Sequence, residues 1–235
     1  MSIIFITGGN KGLGYESARR LIEMGHKVYI GSRNEERGKV AAEKLGAGLV
    51  LIDVTDDNSV KKAADYLSGI EDHIDVLINN AGIAGIRKQP ADITASDMEI
   101  VYNTNVFGIV RVTNAFLPLL NKSDNPVIVN VSSGLGSFGT VTDNETDESK
   151  VNSLTYCSSK AAVSMLTLQY AKGLPRVKVN CADPGGTATD LNGGMGKQTV
   201  SEGTDAIVKL ATEVPDGNAR ISGSRVRLPA KTTFE

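Results

Sequence analysis

The fold is decided by a glycine-rich stretch near the start of the chain, Gly8-Gly9-Asn10-Lys11-Gly12-Leu13-Gly14. An apolar run at residues 3–6 precedes this glycine turn, and a helical pattern follows it. A strand that ends at such a turn and continues as a helix points backbone N–H groups and a helix N-terminus at one place. The turn therefore predicts an anion site suited to a pyrophosphate. Its spacing is G-x-x-x-G-x-G rather than the commoner G-x-G-x-x-G, so the turn alone leaves open a strand–helix connection without a ligand.

Bulk composition is typical of a globular protein with a substantial core. The chain has 235 residues, 40% of them hydrophobic and 22% charged. Its net charge of −2 argues against a general nucleic-acid binder, and its apolar runs are too short for a membrane span. The start carries no basic segment of a signal peptide, so we expect a cytoplasmic protein. Cys157 and Cys181 lack metal-type spacing, which predicts free thiols and no metal site.

Strand-like and helix-like segments alternate along the whole chain, which predicts a parallel sheet covered on both faces. We predict strands at 3–7, 28–30, 49–52, 75–78, 127–131, 177–181 and 221–226. The longest predicted helices lie at 96–120, with Pro118 kinking the last turn, and at 154–174. No shift in composition, linker or repeat divides the sequence, so we expect one domain over residues 1–235.

A tyrosine and a lysine in the second long helix suggest acid–base chemistry. Tyr156 and Lys160 are four residues apart, so they share one face of that helix. A free tyrosine, with a pKa of about 10, transfers protons poorly at neutral pH. A nearby ammonium stabilises the phenolate, so we expect Lys160 to lower the pKa of Tyr156. The pair alone also fits an exposed aromatic and lysine on an ordinary helix.

Several weak motifs occur in one order along the chain. They are Thr7-Gly8-x-x-x-Gly12-x-Gly14, Asn79-Asn80-Ala81-Gly82, Asn105, Ser132-Ser133, Tyr156-x-x-x-Lys160 and Pro184-Gly185-x-x-x-Thr189. Through these residues the chain resembles the short-chain dehydrogenase/reductase family over nearly its whole length. The resemblance implies a single doubly wound, Rossmann-type α/β domain with a seven-stranded parallel sheet in the order 3-2-1-4-5-6-7.

The resemblance also implies a catalytic set of Asn105, Ser133, Tyr156 and Lys160. Ser133 follows the fifth strand, at the edge where open α/β sheets bind ligands, and its hydroxyl can hold a substrate carbonyl. Ser132 is the competing serine, and the family pattern assigns the role to the second of the two. Asn105 lies within a predicted helix. The resemblance implies that Asn105 bends this helix and supports a water molecule that leads to Lys160.

A cofactor site is implied along the carboxyl edge of the sheet. Its expected residues are Gly8, Asn10, Lys11, Gly12, Leu13, Ser32, Arg33, Asp53, Val54, Asn80, Ala81, Gly82, Tyr156, Lys160, Pro184, Gly185, Thr187 and Thr189. Residues 80–82 would approach the adenosine half and residues 53–54 the adenine ring, while residues 184–189 would fix the nicotinamide amide and the phosphates.

The residues after the second strand predict the type of cofactor. NAD-binding proteins place an acid there for the ribose 2′-hydroxyl, whereas this chain has Gly31-Ser32-Arg33-Asn34. The Arg33 guanidinium can bind a 2′-phosphate, with a hydroxyl bond from Ser32 and a second charge from Lys11. The sequence therefore predicts NADP(H), although either cation alone would fit a solvated surface residue.

We expect an NADPH-dependent oxidoreductase that reduces a ketone or aldehyde, most similar to the carbonyl reductases of the family, with Tyr156 as proton donor. Two alternatives stay open: an NAD-dependent alcohol or steroid dehydrogenase, and an NADPH-sensing protein without turnover. The partner is a small carbonyl or alcohol substrate whose identity the loops do not encode. Family members include monomers, dimers and tetramers, which leaves a homo-oligomer open.

The stretch between Ser133 and Tyr156 is about ten residues longer than the simple family pattern. Its acidic part is Asp143-Asn144-Glu145-Thr146-Asp147-Glu148. We expect this acidic loop to border the substrate entrance and to hinder helix pairing between subunits, with a solvated loop of no consequence as the alternative.

Overall fold

The computed structural model describes residues 1–213, which form a six-stranded parallel sheet with helices on both faces. The strands are β1 (Ile3–Ile6), β2 (Lys27–Ser32), β3 (Gly48–Leu51), β4 (Val76–Asn79), β5 (Val127–Val131) and β6 (Lys178–Ala182). Their order is β3-β2-β1-β4-β5-β6, as predicted for the first six strands. The predicted seventh strand at 221–226 lies outside the described residues. The doubly wound α/β fold class is confirmed.

Helices connect successive strands. They are α1 (Gly12–Glu23), α2 (Glu35–Leu45), α3 (Asp57–Ser68), α4 (Ala95–Tyr102), α5 (Gly108–Leu120), α6 (Phe138–Val141), α7 (Leu154–Gly173) and α8 (Val200–Thr212). Side-chain caps fix several starts: Asn34 accepts from Arg37 N at 2.8 Å, and Asp56 accepts from Asn58 N at 2.8 Å. Because each helix starts shortly after a strand ends, the helix N-termini and the connecting loops gather at the carboxyl edge of the sheet.

Alternating strand residues divide the core into two layers. Ile4 and Ile6 pack toward α1, α2 and α8, whereas Phe5 packs toward α3 and α5. Phe5 stacks on Phe116 of α5 with ring centroids 4.7 Å apart. Strands buried on both faces carry almost continuous apolar sequence, which is why their positions were predictable.

The predicted long helix at 96–120 is interrupted. Residues Asn103–Phe107 form a π-helical turn between α4 and α5, and Pro118 lies within α5. The chain stays helical through the turn, but the extra residue changes which side chains face inward. Asn105 is thereby buried.

Within residues 1–213, no helix is both long and apolar enough to cross a membrane. The same part of the chain holds no group of three or more His, Cys, Asp or Glu side chains placed to bind a metal ion. Cys157 and Cys181 are both free thiols.

Candidate active site

The glycine turn after β1 is shaped for close approach. Gly8 and Gly12 have φ values of 65° and 56°, which side-chain-bearing residues rarely adopt. A Cβ on Gly14 would lie 2.5 Å from Asn80 Nδ2 and 2.6 Å from the Gly8 carbonyl oxygen. Lys11 precedes α1 without a side-chain cap, and the first turn of α1 has no acidic residue. The first amides of α1 are therefore suited to an anion.

The end of β4 is tied to the glycine turn. Asn80 Nδ2 donates to the carbonyl oxygens of Thr7 and Gly8 at 2.9 and 3.1 Å. The hydroxyl oxygen of Thr7 accepts from the backbone N–H groups of Asn80 and Ala81 at 3.0 and 3.1 Å. These bonds join the glycine turn to the segment after β4. The two segments together form a continuous surface on which a cofactor could lie.

The end of β2 brings Ser32 and Arg33 to the cleft. Arg33 is exposed, whereas Ser32 is buried. The Ser32 hydroxyl donates to the Asn34 carbonyl at 2.8 Å and accepts from Asn34 N at 3.3 Å. These two bonds hold the turn that carries Arg33. Ser32 also lines the cleft, so its predicted bond to a 2′-phosphate stays a prediction.

Asp53 follows β3 and carries a charge beside Arg33. Its Oδ1 accepts from the backbone N–H and the hydroxyl of Thr55 at 2.9 and 2.7 Å. Burial raises the pKa of Asp53, but the hydrogen bonds from Thr55 and the charge of Arg33 outweigh it and leave the pKa below its ordinary value. The neighbouring Val54 is buried against Gly108.

Ser133 and α7 are brought together by a glycine. Gly136 lies so close to α7 that a Cβ there would be 2.4 Å from the carbonyl carbon of Lys160. Ser132 bonds to α7, with its Oγ donating to the Lys160 carbonyl at 3.1 Å. The Ser133 Oγ accepts from Leu135 N at 3.2 Å and lies near the Tyr156 hydroxyl, whose pKa it influences. Because the Ser132 hydroxyl is bonded to α7 and the Ser133 hydroxyl lies beside Tyr156, Ser133 is better placed than Ser132 to contact a substrate.

Lys160 is almost completely buried between α7 and β5. Its Nζ donates to the Val131 carbonyl at 2.7 Å and lies 5.6 Å from the centroid of the Tyr156 ring. Burial lowers the pKa of Lys160 to about 8, against smaller opposing effects of Cys181 and then of Asp183. The lysine therefore titrates close to neutral pH.

The predicted lowering of the Tyr156 pKa is wrong in this structure. Burial of the hydroxyl, followed by the negative charge of Asp183, raises its pKa to about 12, while a hydrogen bond with Ser133 opposes the rise. Lys160 points its ammonium at Val131, so the ammonium does not offset desolvation of the phenolate. Tyr156 is thus held as the protonated phenol at neutral pH.

Asn105 joins three segments next to these residues. Its Oδ1 accepts from Ile83 N at 2.9 Å, and its Nδ2 donates to the Ile83 carbonyl and to Ser159 Oγ at 2.9 and 3.0 Å. A Cβ on Gly82 would lie 3.4 Å from Asn105 Oδ1 and 3.8 Å from Lys160 Nζ. Asn105 therefore supports the wall beside Lys160 rather than the open cleft.

The loop after β6 closes the opposite side of the cleft. Gly185 has a φ of 66°, and the buried Thr187 donates its hydroxyl proton to the Pro184 carbonyl at 2.9 Å. Thr189 faces the glycine turn, with its Cγ2 3.9 Å from a Cβ built on Gly12. Above this contact, Lys11 Nζ pairs with Asp190 Oδ2 at 3.0 Å.

One continuous cleft of about 1540 Å³ collects nearly all the predicted residues. Those that line it are Gly8, Lys11, Gly12, Leu13, Ser32, Arg33, Asp53, Val54, Asn80, Ala81, Gly82, Ser133, Tyr156, Lys160, Pro184, Gly185, Thr187 and Thr189. Asn10 and Asn105 do not line it. Its volume is large enough for a dinucleotide and a further small molecule.

Sequence reasoning missed Asp183 and did not single out Asp147 and Glu148 within the acidic loop. All three line the cleft, and Asp147 forms an ion pair with Lys197 across its mouth. Apolar side chains border the same mouth: Ile86, Val151, Leu154, Leu191 and Met195. The position of Asp183 directly after a strand and before Pro184-Gly185 was the available signal.

These features match a known family. The family profile described as short chain dehydrogenase matches residues 2–199. The chain belongs to this family, whose members are oxidoreductases that use nicotinamide cofactors and act on carbonyl or alcohol groups.

Individual relatives cover most of the chain. Short-chain dehydrogenase anuI from Penicillium roqueforti is 35% identical, over 90% of this chain and 88% of its own. The structure of salutaridine reductase from Papaver somniferum is similar with a TM-score of 0.81 and 27% identity, covering 93% of this chain and 98% of that one. A gluconate 5-dehydrogenase from Burkholderia cenocepacia, solved in complex with NADP and tartrate, has a TM-score of 0.75 and 26% identity, covering 89% and 88%.

Proposed function

We propose that this protein reduces a ketone or aldehyde to an alcohol with NADPH, using Tyr156 as the proton donor. One observation carries the proposal: Ser133, Tyr156 and Lys160 line the same cleft as the glycine turn and Arg33. A reacting group and a dinucleotide could therefore occupy one continuous space.

Residues of the glycine turn fit the phosphates of such a cofactor. The uncapped start of α1 offers backbone N–H groups, and Gly12, with its positive φ, puts no side chain in their way. The tight packing of Gly14 against Asn80 and Gly8 keeps this surface close to the sheet. A bound nicotinamide would supply the hydride that the carbonyl carbon accepts.

Tyr156 and Ser133 act on the carbonyl oxygen. The Ser133 hydroxyl holds this oxygen, and the Tyr156 phenol donates its proton as the negative charge develops there. The raised pKa of Tyr156 supports this direction, because the residue carries the proton it has to give. Lys160 Nζ lies 5.6 Å from the centroid of the Tyr156 ring, and we expect it to bind the ribose hydroxyls of the cofactor when the cofactor is present.

Preference for NADPH rests on the end of β2. Arg33 lines the cleft at the place where an acid would bind the 2′-hydroxyl of NADH, and Lys11 lines it from the glycine turn. These two cations favour a 2′-phosphate, although Asp53 lies near Arg33 and Asp190 pairs with Lys11 at 3.0 Å. Asp53 Oδ1 accepts hydrogen bonds from the backbone N–H and the hydroxyl of Thr55, so this oxygen is already engaged within its own loop.

Purified protein and a panel of activated ketones and aldehydes test the proposal by oxidation of NADPH. Tyr156→Phe is the matched variant, since it removes one hydroxyl and keeps the ring. We expect the wild type to turn over and the variant to lose turnover. The variant should bind NADPH with nearly the same affinity as the wild type. Substantial residual kcat in Tyr156→Phe would contradict the assignment of the proton donor.

A further inference from the structure

Two carboxylates converge on one place beside Ser133. A Cβ on Gly134, the residue after Ser133, would lie 3.1 Å from Asp183 Oδ2 and 3.4 Å from Glu148 Oε1. All four residues line the cleft. Asp183 directly follows β6, whereas Glu148 belongs to the acidic loop. The fold, rather than proximity in sequence, therefore brings these two charges together.

Asp183 is held with one oxygen bonded and the other directed at this place. The residue is only 8% exposed, and its Oδ1 accepts from Gly185 N at 2.9 Å. Within residues 1–213, Oδ2 accepts no hydrogen bond. A carboxylate taken out of water is unfavourable unless donors or opposite charges compensate. The second oxygen of Asp183 thus lacks the donor that a buried carboxylate requires.

No cation in the described part of the chain neutralises the two acids. Neither forms an ion pair there, and the Glu148 side chain makes no hydrogen bond. Two lysines that line the cleft are engaged elsewhere, Lys197 with Asp147 and Lys11 with Asp190. The place beside Gly134 therefore presents uncompensated negative charge to the cleft.

Apolar side chains border the same cleft. Val151 and Leu154 follow Glu148 along the chain, and Leu191 and Met195 lie in the loop after β6. These four side chains are between 41% and 63% exposed. Large apolar side chains exposed around a pocket are typical of a site whose ligand has an apolar body.

We propose that the cleft takes a carbonyl substrate that carries a protonated amine, with the ammonium between Asp183 and Glu148 and the apolar body at the mouth. The inference rests on the proposed function in one respect, namely that the amine belongs to the compound that is reduced. A primary ammonium has three donors and a full positive charge, so it can satisfy Asp183 Oδ2 and Glu148 Oε1 together. A neutral alcohol offers one donor and leaves both charges uncompensated.

The position of the two acids also favours an amine during the reaction. Cα atoms of consecutive residues are about 3.8 Å apart, so Gly134 lies directly beside Ser133. A carbonyl oxygen held by Ser133 gains negative charge as the hydride arrives, and uncompensated carboxylates nearby would oppose this change. A bound ammonium removes that opposition. An amino ketone should therefore react faster than a neutral ketone of the same shape.

Binding of a simple amine to the protein alone tests the site without the reaction. Hexylamine is protonated at neutral pH, like a lysine side chain, and hexan-1-ol is its neutral match. We expect hexylamine to bind about tenfold more tightly or better, as a hydrogen bond to a charged group would give. Chemical-shift titration of isotope-labelled protein measures both Kd values and shows whether the amides of Gly134 and Gly185 respond.

Two variants each remove one charge and keep the shape of the side chain. Glu148→Gln and Asp183→Asn should each weaken hexylamine binding about tenfold and leave hexan-1-ol binding unchanged. The amide of Asp183→Asn keeps an oxygen that accepts from Gly185 N. Glu145→Gln is the matched control, because Glu145 is an exposed acid of the same loop that does not line the cleft. Far-UV circular dichroism checks the fold, and Glu148→Gln decides alone if Asp183→Asn does not fold.

The reaction provides a separate readout. In the wild type, kcat/KM should be about tenfold higher for meta-(aminomethyl)acetophenone than for its neutral match meta-ethylacetophenone, and Glu148→Gln should remove this preference. Equal binding of hexylamine and hexan-1-ol, an equal loss in Glu145→Gln, or equal reduction of the two ketones overturns the inference. If neither ketone is reduced while hexylamine binds beside Gly134, the proposed reduction fails and the ammonium site stands.

Discussion

Lys11 of the glycine turn forms a 3.0 Å ion pair with Asp190, which lies in the loop after β6 on the other side of the cleft. Both side chains are largely exposed, so the pair contributes little to stability. The contact nevertheless occupies the ammonium that we assign to the 2′-phosphate of NADPH. Asp190 and that phosphate therefore compete for Lys11.

Asp190→Asn should strengthen NADPH binding because it removes this competitor. An exposed ion pair is worth at most about 1 kcal/mol, which corresponds to no more than about a fivefold change in Kd. Titration calorimetry with NADPH and NADH measures the effect, and NADH serves as the matched ligand without the phosphate. Equal changes for the two cofactors would contradict the role of Lys11.

Arg33→Ala should weaken NADPH binding selectively. A hydrogen bond to a charged group contributes roughly 1.5–3 kcal/mol, so the loss corresponds to an increase in Kd of about tenfold or more. NADH lacks the phosphate and should bind the variant about as well as it binds the wild type. Comparison of the four Kd values checks this, and tight binding of NADH by the wild type would count against the cofactor assignment.

Much of the sheet was predictable because its strands are buried on both faces. β1, β4 and β5 appear in the sequence as short apolar runs, and the alternation of strands with helices predicts parallel pairing. The order of the six strands was predicted from the family resemblance. The pairing of Tyr156 with Lys160 was predictable for a similar reason, since four residues along a helix bring side chains to one face.

Features that depend on tertiary packing were not predictable. Asn105, within the π-helical turn, forms hydrogen bonds with Ile83 and Ser159. These residues are distant from it in sequence, so the contacts could not be predicted from local pattern. The sign of the Tyr156 pKa shift depended on how deeply α7 buries the hydroxyl, not on the spacing to Lys160. Asp183 looks like an ordinary loop residue until the strand order brings it beside Gly134.

Asn105→Ala should destabilise the fold. The change leaves the Ile83 amide without its acceptor and removes two donated bonds in a buried place, at a cost of about 2–4 kcal/mol in the free energy of unfolding. Urea denaturation measures the loss, with the exposed Asn58→Ala as control. A loss no larger than that of the control would mean that the π-helical turn is held by its backbone alone.

Lys160→Met should make the protein more stable at neutral pH while abolishing turnover. Burial lowers the folded-state pKa of Lys160 to about 8 from the ordinary value of 10.5. Between these values the unfolded chain binds the proton and the folded chain does not, so the stability of the wild type rises with pH across this window. Below it, both states carry the ammonium, and the cost of burying this charge in the folded state, reduced by the bond to the Val131 carbonyl, no longer changes with pH.

Methionine of similar shape removes that cost, so we expect a gain on the order of 2 kcal/mol at neutral pH. The gain should shrink as pH rises through the window, because the wild-type lysine becomes neutral as well. Urea unfolding at neutral and alkaline pH measures both, with the exposed Lys62→Met as control. A gain that is independent of pH, or a loss at neutral pH, would mean that the bond from Lys160 to the Val131 carbonyl outweighs the desolvation of its charge.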